Sequence, residues 1–232
     1  MLIAENLNKI RVEIKKVLIS SGRKPEDIVL VAVTKTQSAE AVNAALAAGV
    51  SAIGENKVQE AKQKFPSLIP GRYARHMIGH LQTNKTRDAV RLFDVIQSVD
   101  SERLLAEIDK EAGKSNKVME CMAEVNIGGE ENKSGMKPEA TEQFLVSAGK
   151  YVNIRISGLM TIAPFLEDAE LVRPYFRKMK ALFDSISKLS VKNVKMEHLS
   201  MGMSGDYRVA VEEGATMLRI GTAIFGAREY IK

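Results

Sequence analysis

Eight short apolar runs, the first seven each followed by a longer amphipathic stretch, constrain this chain more than any other feature of its 232 residues. The first run, 28–33 (IVLVAV), is apolar on both parities and rich in β-branched residues. A strand with one wet face alternates. One that is apolar on both sides has both faces covered, as in parallel sheets wrapped by helices. Strands are expected near 28–34, 51–55, 75–79, 94–99, 118–126, 154–161, 195–200 and 216–220. Between them, apolar residues at three- and four-residue spacing predict helices near 38–48, 57–65, 84–92, 101–114, 138–150, 171–189 and 206–213. A further helix comes first, with Ile3, Leu7, Ile10, Ile14, Val17 and Leu18 on one face. In 171–189, Tyr175, Phe176, Met179, Leu182, Phe183, Ile186 and Leu189 form an apolar stripe. Pro174 falls in its first turn, where a missing N–H costs nothing.

This element count is that of an α/β chain folded as a single (β/α)8 TIM barrel with an extra N-terminal helix, one domain over 1–232. The alternative is an open doubly wound sheet. No G-x-G-x-x-G follows the first strand, which disfavours its dinucleotide-binding form. No linker, low-complexity tract or second composition regime is found, including after residue 226.

Composition narrows the function. With 34 basic and 29 acidic residues interspersed, the net charge of +5 forms no dense basic tract, so nucleic acid is not an expected partner. In 101–114 (SERLLAEIDKEAGK) the charges alternate as on a solvated helix face. The single cysteine, Cys121, sits in an apolar run (VMECMAEV) and reads as a buried thiol. The start, MLIAENLNKIRVEIKK, has no signal-peptide core, and no run approaches the ~18 apolar residues that span a bilayer. A soluble cytoplasmic protein without membrane contacts is expected.

In such a barrel, function sits at the C-terminal ends of the strands. Lys35, in VLVAVTKT, shares the parity of Val31 and Val33 and so points to the barrel mouth. A desolvated lysine is a nucleophile towards aldehydes, forming a Schiff base. The bland alternative is a lysine that snorkels to solvent at a strand end. After the second strand, Asn56 either offers its amide to a ligand or caps the next helix. His80 follows Gly79 after the third strand, either as a ligand contact or as a structural histidine; His76 and His198 show no metal-ligand spacing with it. The Gly/Ser segment 198–206 (HLSMGMSGD) and Gly221-Thr222 after strand eight are what a barrel phosphate site uses, although Ser204 could simply cap a helix. Arg219 lies inside the last strand with the parity of Met217 and Gly221, so it points inwards and needs an anion or acceptor. Met160, Met201 and Met203 either pack against a cofactor ring or fill the core. The polar segment 128–137 is expected to be a mobile loop at the mouth, with Lys133 and Lys137 as solvent-facing charges.

Lysine on strand one, a phosphate loop at strands seven and eight, and an inward arginine together fit pyridoxal 5′-phosphate (PLP). The aldehyde would meet Lys35, the phosphate Ser204, Gly221 and Thr222, and the ring nitrogen Arg219. An arginine there keeps that nitrogen unprotonated and weakens the ring as an electron sink.

At these residues the chain resembles the YggS/PROSC family of PLP-binding proteins. The resemblance covers nearly the whole chain and rests on VAVTKT at 31–36, GENKVQE at 54–60, HMIGHLQTNK at 76–85, SGLMTI at 157–162, LSMGMSGDY at 199–207 and RIGTAIFGARE at 219–229. It implies a barrel like the alanine racemase N-terminal domain, with PLP on Lys35, Arg219 at the ring nitrogen, and Ser200, Ser204, Gly221 and Thr222 at or near the phosphate. It also implies a role in intracellular vitamin B6 homeostasis without established turnover, with apo-PLP enzymes as possible recipients and a monomer or weak dimer as the assembly. The alternative is a low-activity PLP-dependent amino-acid racemase. Alanine racemase takes its other acid/base group, a tyrosine, from a second domain of a partner subunit. With the sequence ending at Lys232, just past strand eight, that domain is expected to be absent, and Tyr207 and Tyr230 are weak substitutes. Neither catalytic residues nor a metal are expected.

Overall fold

A computed structural model describes residues 2–24 and 27–226. The eight strands are β1 Val29–Val33, β2 Ala52–Glu55, β3 Ala74–Met77, β4 Val95–Val99, β5 Met119–Glu124, β6 Ile154–Met160, β7 Val194–Ser200 and β8 Met217–Ile220. Each pairs in parallel with the next, and β8 pairs back onto β1 through Val29↔Met217 to Ala32↔Ile220, closing the barrel. The helices are α1 Leu2–Ser20, α2 Ala39–Ala47, α3 Val58–Lys64, α4 Thr86–Leu92, α5 Glu102–Lys114, α6 Thr141–Ala148, α7 Arg173–Ile186, α8 Tyr207–Glu212 and a short α9 Thr222–Phe225. This is the (β/α)8 barrel with a leading helix.

The two-parity apolar runs form strands because each has two apolar surfaces to meet. Val31, Ala52, Val95, Met122, Met160 and Met217 fill the barrel's inside. Ala32, Ile53, Ile96, Cys121, Leu159 and Leu218 point the other way, into the larger layer beneath the helices. In α7, Phe176, Met179 and Ile186 are fully buried, and truncating a residue such as Phe176 to Ala costs about 3–5 kcal/mol. The helix stops at Ile186, so Leu189 packs on the core from the following turn. Ser38 and Ser101 cap α2 and α5 by accepting from Ala41 and Leu104 N–H, contributing about 1 kcal/mol each.

The helix α1 packs against α2, α8 and α9, outside the seam where β1 meets β8. It is pinned there by Asn6, which donates to the Ile224 carbonyl at 3.0 Å, and by Arg11, which donates to the Ala48 and Gly49 carbonyls. Gly158 sits where the β5–β6 and β6–β7 registers shift, and a Cβ there would stand 1.9 Å from the His198 carbonyl oxygen. Only glycine lets β7 approach so closely.

The segment 128–137, expected to be loose, is tied down. Asn126 Nδ2 donates to the Glu130 and Lys133 carbonyls, and Met136 N–H donates to the Glu124 carbonyl. Lys133 is not a plain solvent charge: its Nζ donates to the Ala163 carbonyl and pairs with Glu130. Lys137 is exposed. Among the described residues, no helix is long and apolar enough to cross a membrane.

Candidate functional site

At the C-terminal ends of β1, β6, β7 and β8 lies a cavity of about 470 Å3. Lys35, Ser204, Arg219, Gly221 and Thr222 all line it, with Val33, Met203, Asp206 and the segment 164–167, whose Phe165 is 89% exposed. Strand alternation brings Lys35 here, two residues beyond β1 and half-buried.

Lys35 occupies the second position of a tight turn in which Gln37 N–H donates to the Thr34 carbonyl at 3.0 Å. The third position, Thr36, has φ +65°, a conformation suited to Gly or Asn and costing a β-branched residue about 1–3 kcal/mol. A polar cluster centred on the buried Lys64 and Glu55 adjoins the turn. Lys64 Nζ donates to the Thr34 carbonyl (2.7 Å), Glu55 Oε1 (2.7 Å) and Glu60 Oε1 (2.8 Å). Thr34 Oγ1 donates to Glu55 Oε1, and Thr36 N–H donates to Glu60 Oε1 at 2.5 Å. Burial pushes the Glu55 carboxyl above its ordinary range, against the pull of Lys64 and Thr34.

Arg219 is 4% exposed. Its guanidinium donates to Ser200 Oγ at 2.6 Å and to the Thr161 carbonyl at 2.7 Å. Burial lowers its pKa to about 10, while the charges of Glu124 and Asp206 act in the other direction. A polar chain runs on across the barrel: Ser200 Oγ donates to Gln97 Oε1, and the Gln97 amide donates to His76 Nδ1. Burial holds His76 neutral, with a pKa of about 4. Glu124, at the end of β5, is also 4% exposed, and its Oε2 has no hydrogen-bond partner. Burial, reinforced by Asp100, lifts its carboxyl to about 7 despite Arg219.

The loops after β7 and β8 meet at Ser204, whose Oγ accepts from Gly221 N–H (3.3 Å) and Ala223 N–H (3.2 Å). Two backbone amides thus converge on one oxygen position at the cavity wall. Asp206 Oδ1 accepts from Met203 N–H and stands at the start of α8, so Ser204 is not that helix's cap. Gly221 packs closely here: a Cβ would stand 3.3 Å from Val33 Cβ, a tight contact.

The other expected residues lie elsewhere. Ser200 is fully buried beneath Arg219, Met160 lies inside the barrel, and Met201 belongs to the layer under the helices. Asn56 follows β2, where its backbone passes so close to Gly79 that a Cβ there would stand 2.4 Å from the Asn56 carbonyl oxygen. Lys57, not Asn56, holds the N-cap position before α3, and its side chain makes no cap hydrogen bond. His80 is exposed, with Nδ1 3.3 Å from Ser134 Oγ and 3.9 Å from Asp100 Oδ2. None of these five lines the cavity. Tyr207 is buried on α8 away from the cavity, and Tyr230 lies outside the described residues. Among the described residues, no group of three or more His, Cys, Asp or Glu is placed to hold a metal ion.

Sequence reading missed Glu124, Gln97 and the Lys64 cluster. The visible signal for Lys64 was its place on the buried face of α3, three residues after Ala61 and six after Val58.

The family model for the alanine racemase N-terminal domain matches residues 6–229. The chain is 41% identical to the pyridoxal phosphate homeostasis protein of Aquifex aeolicus, over 97% of this chain and 98% of that one. It is 35% identical to the protein of the same name from Escherichia coli K12, over 99% and 98%. Among solved structures it is similar to PipY of Synechococcus elongatus with PLP bound, at a TM-score of 0.84 and 34% identity, covering 97% of this chain and 100% of that one. The likeness to Clostridium difficile alanine racemase is one of fold alone. There the TM-score is 0.75 at 18% identity, covering 99% of this chain and 58% of that one.

Proposed function

The chain belongs to the pyridoxal phosphate homeostasis protein family, and from that premise we propose that it binds PLP reversibly on Lys35 and serves intracellular vitamin B6 homeostasis without catalytic turnover. One observation carries this reading: Lys35, the amide-and-hydroxyl corner at Ser204, and the donor-only side chain of Arg219 line one cavity.

The donor set suits this cofactor. Lys35 Nζ is the amine for its aldehyde. The N–H groups of Gly221 and Ala223, with the hydroxyls of Ser204 and Thr222, suit a phosphate: their convergence on the Ser204 oxygen marks a position where an oxygen is accepted. Arg219 cannot accept a proton, so it suits a ring nitrogen that stays unprotonated. When bound, PLP supplies an electron-withdrawing ring, and an arginine partner leaves that ring a weak sink. Arg219 therefore favours holding over carbanion chemistry, in keeping with relatives named for homeostasis.

The reading extends to one domain over 1–232, a cytoplasmic location, and apo-PLP enzymes as recipients. Borohydride reduction of the purified protein followed by peptide mass mapping tests it. A phosphopyridoxyl mass on the Lys35 peptide, absent from Lys35→Ala, supports it; an unmodified Lys35 after incubation with PLP overturns it. An α-proton exchange assay with amino acids separates carriage from turnover, because Lys35-dependent exchange would favour a racemase.

A further inference from the structure

We propose that Glu60 and Lys64 are positioning residues for Lys35: through hydrogen bonds to the two peptide groups that flank it, they hold the turn that presents its amine. The inference rests on Lys35 being the PLP anchor. The Thr34 carbonyl belongs to the peptide before Lys35 and accepts from Lys64 Nζ; the Thr36 N–H belongs to the peptide after it and donates to Glu60 Oε1. Two side chains of α3, the buried Lys64 and the half-buried Glu60, therefore fix the backbone on both sides of the Lys35 Cα. Lys64 donates to three acceptors at 2.7–2.8 Å, using all its ammonium protons, and Glu55 joins it to the Thr34 hydroxyl.

The backbone makes this clamp necessary. Thr36 has φ +65° at the turn position where Gly or Asn is normal, so an unclamped turn would relax and carry Lys35 away from the cavity. A buried lysine that forms no part of the cavity wall, bonded to the backbone beside the reactive residue, is accounted for by this role.

The test is a PLP titration followed by visible absorbance and borohydride trapping, on the native protein, Glu60→Ala, Glu60→Gln and Glu60→Ala/Thr36→Gly. Thermal midpoints without PLP serve as the folding control. Glu60→Ala is expected to bind PLP about tenfold or more weakly, since small misplacements of a reacting group are costly. Glu60→Gln, which keeps an acceptor oxygen, should bind nearly as the native protein does. Adding Thr36→Gly to Glu60→Ala should restore most of the loss, because glycine adopts the turn without a clamp. A merely structural role would lower the midpoint without this rescue. Native-like binding by Glu60→Ala, or failure of the glycine to restore it, overturns the positioning role alone. If Glu60→Ala does not fold, Glu60→Gln decides, and a large loss there also overturns the role. No label on native Lys35 overturns the PLP reading itself, and this inference with it.

Discussion

Towards the N-terminal ends of the strands, Arg155 donates to Glu197 at 2.7 Å and to Glu120 at 2.9 Å, while Arg75 pairs with Asp94. Lys195 and Arg155 hold the Glu197 carboxyl down to about 2, and Asp94 also lies below its ordinary range, held by Arg75 against its own burial. At the mouth the same residue types behave in the opposite way. Burial raises Glu55, Glu124 and Asp206 and lowers Arg219, and Glu55 and Glu124 each keep an oxygen without a partner. Charge at the base is matched within the fold. Charge at the mouth is left partly unmatched, a strain of the kind that clusters at functional sites.

Glu124→Gln tests this contrast most severely. The Glu124 carboxyl titrates near 7 when folded, against 4.5 ordinarily, so the folded state binds its proton more tightly. Stability therefore falls as pH rises from about 4.5 through 7, and above that the full penalty is present, on the order of 3 kcal/mol. Without PLP, Glu124→Gln should raise the denaturant midpoint at pH 8 and leave it unchanged at pH 4. A lower midpoint at pH 8 would break the contrast.

His76 carries the opposite sign. Its pKa is lowered from 6.5 to about 4, so its stabilising share is present above about pH 6.5 and is lost as pH falls towards 4. In the native protein this loss overlaps the gain from Glu124. The Glu124→Gln variant should therefore lose stability more steeply between pH 6.5 and 4 than the native protein, as urea titrations across that range would show.

A smaller effect is expected at the cradle. Ser204→Ala should weaken PLP binding about tenfold, or ~1.4 kcal/mol, while changing stability without PLP by less than about 1 kcal/mol. An equal loss in both would assign Ser204 to the fold rather than the ligand. The smallest effect belongs to the base. Its pairs are partly exposed, so Glu197→Gln should cost about 0.5 kcal/mol at low salt and nothing measurable at 1 M.

The eight strands were legible because a run apolar on both parities has few other uses, and β1 and β8 were located to within a residue or two. Parity also placed Lys35 and Arg219 correctly on the barrel's inner side. Less visible was anything that depends on register across strands. Nothing in the order of residues shows that Ser200 would lie under Arg219, or that Gln97 would join it to His76, since the β4–β5 and β6–β7 registers shift on the way. The spacing of Lys64 behind Val58 and Ala61 shows it on the buried face of α3, but nothing in the sequence shows that it and Glu60 bond the Lys35 turn. The four residues of α9 are too few to show a period.

Closure of the barrel by its first and last strands has a consequence for biosynthesis. Lys35 follows β1, while Ser204, Arg219 and Gly221 arrive with β7 and β8, so the pocket straddles the closing seam. A ribosome-bound chain carrying Lys35 alone has the amine but no phosphate corner and no guanidinium. On the proposed reading, loading waits until β8 has been made and the most distant contacts in the fold have formed. A ligand that binds only the closed barrel stabilises it by mass action, so on that reading its retention becomes a readout of barrel closure.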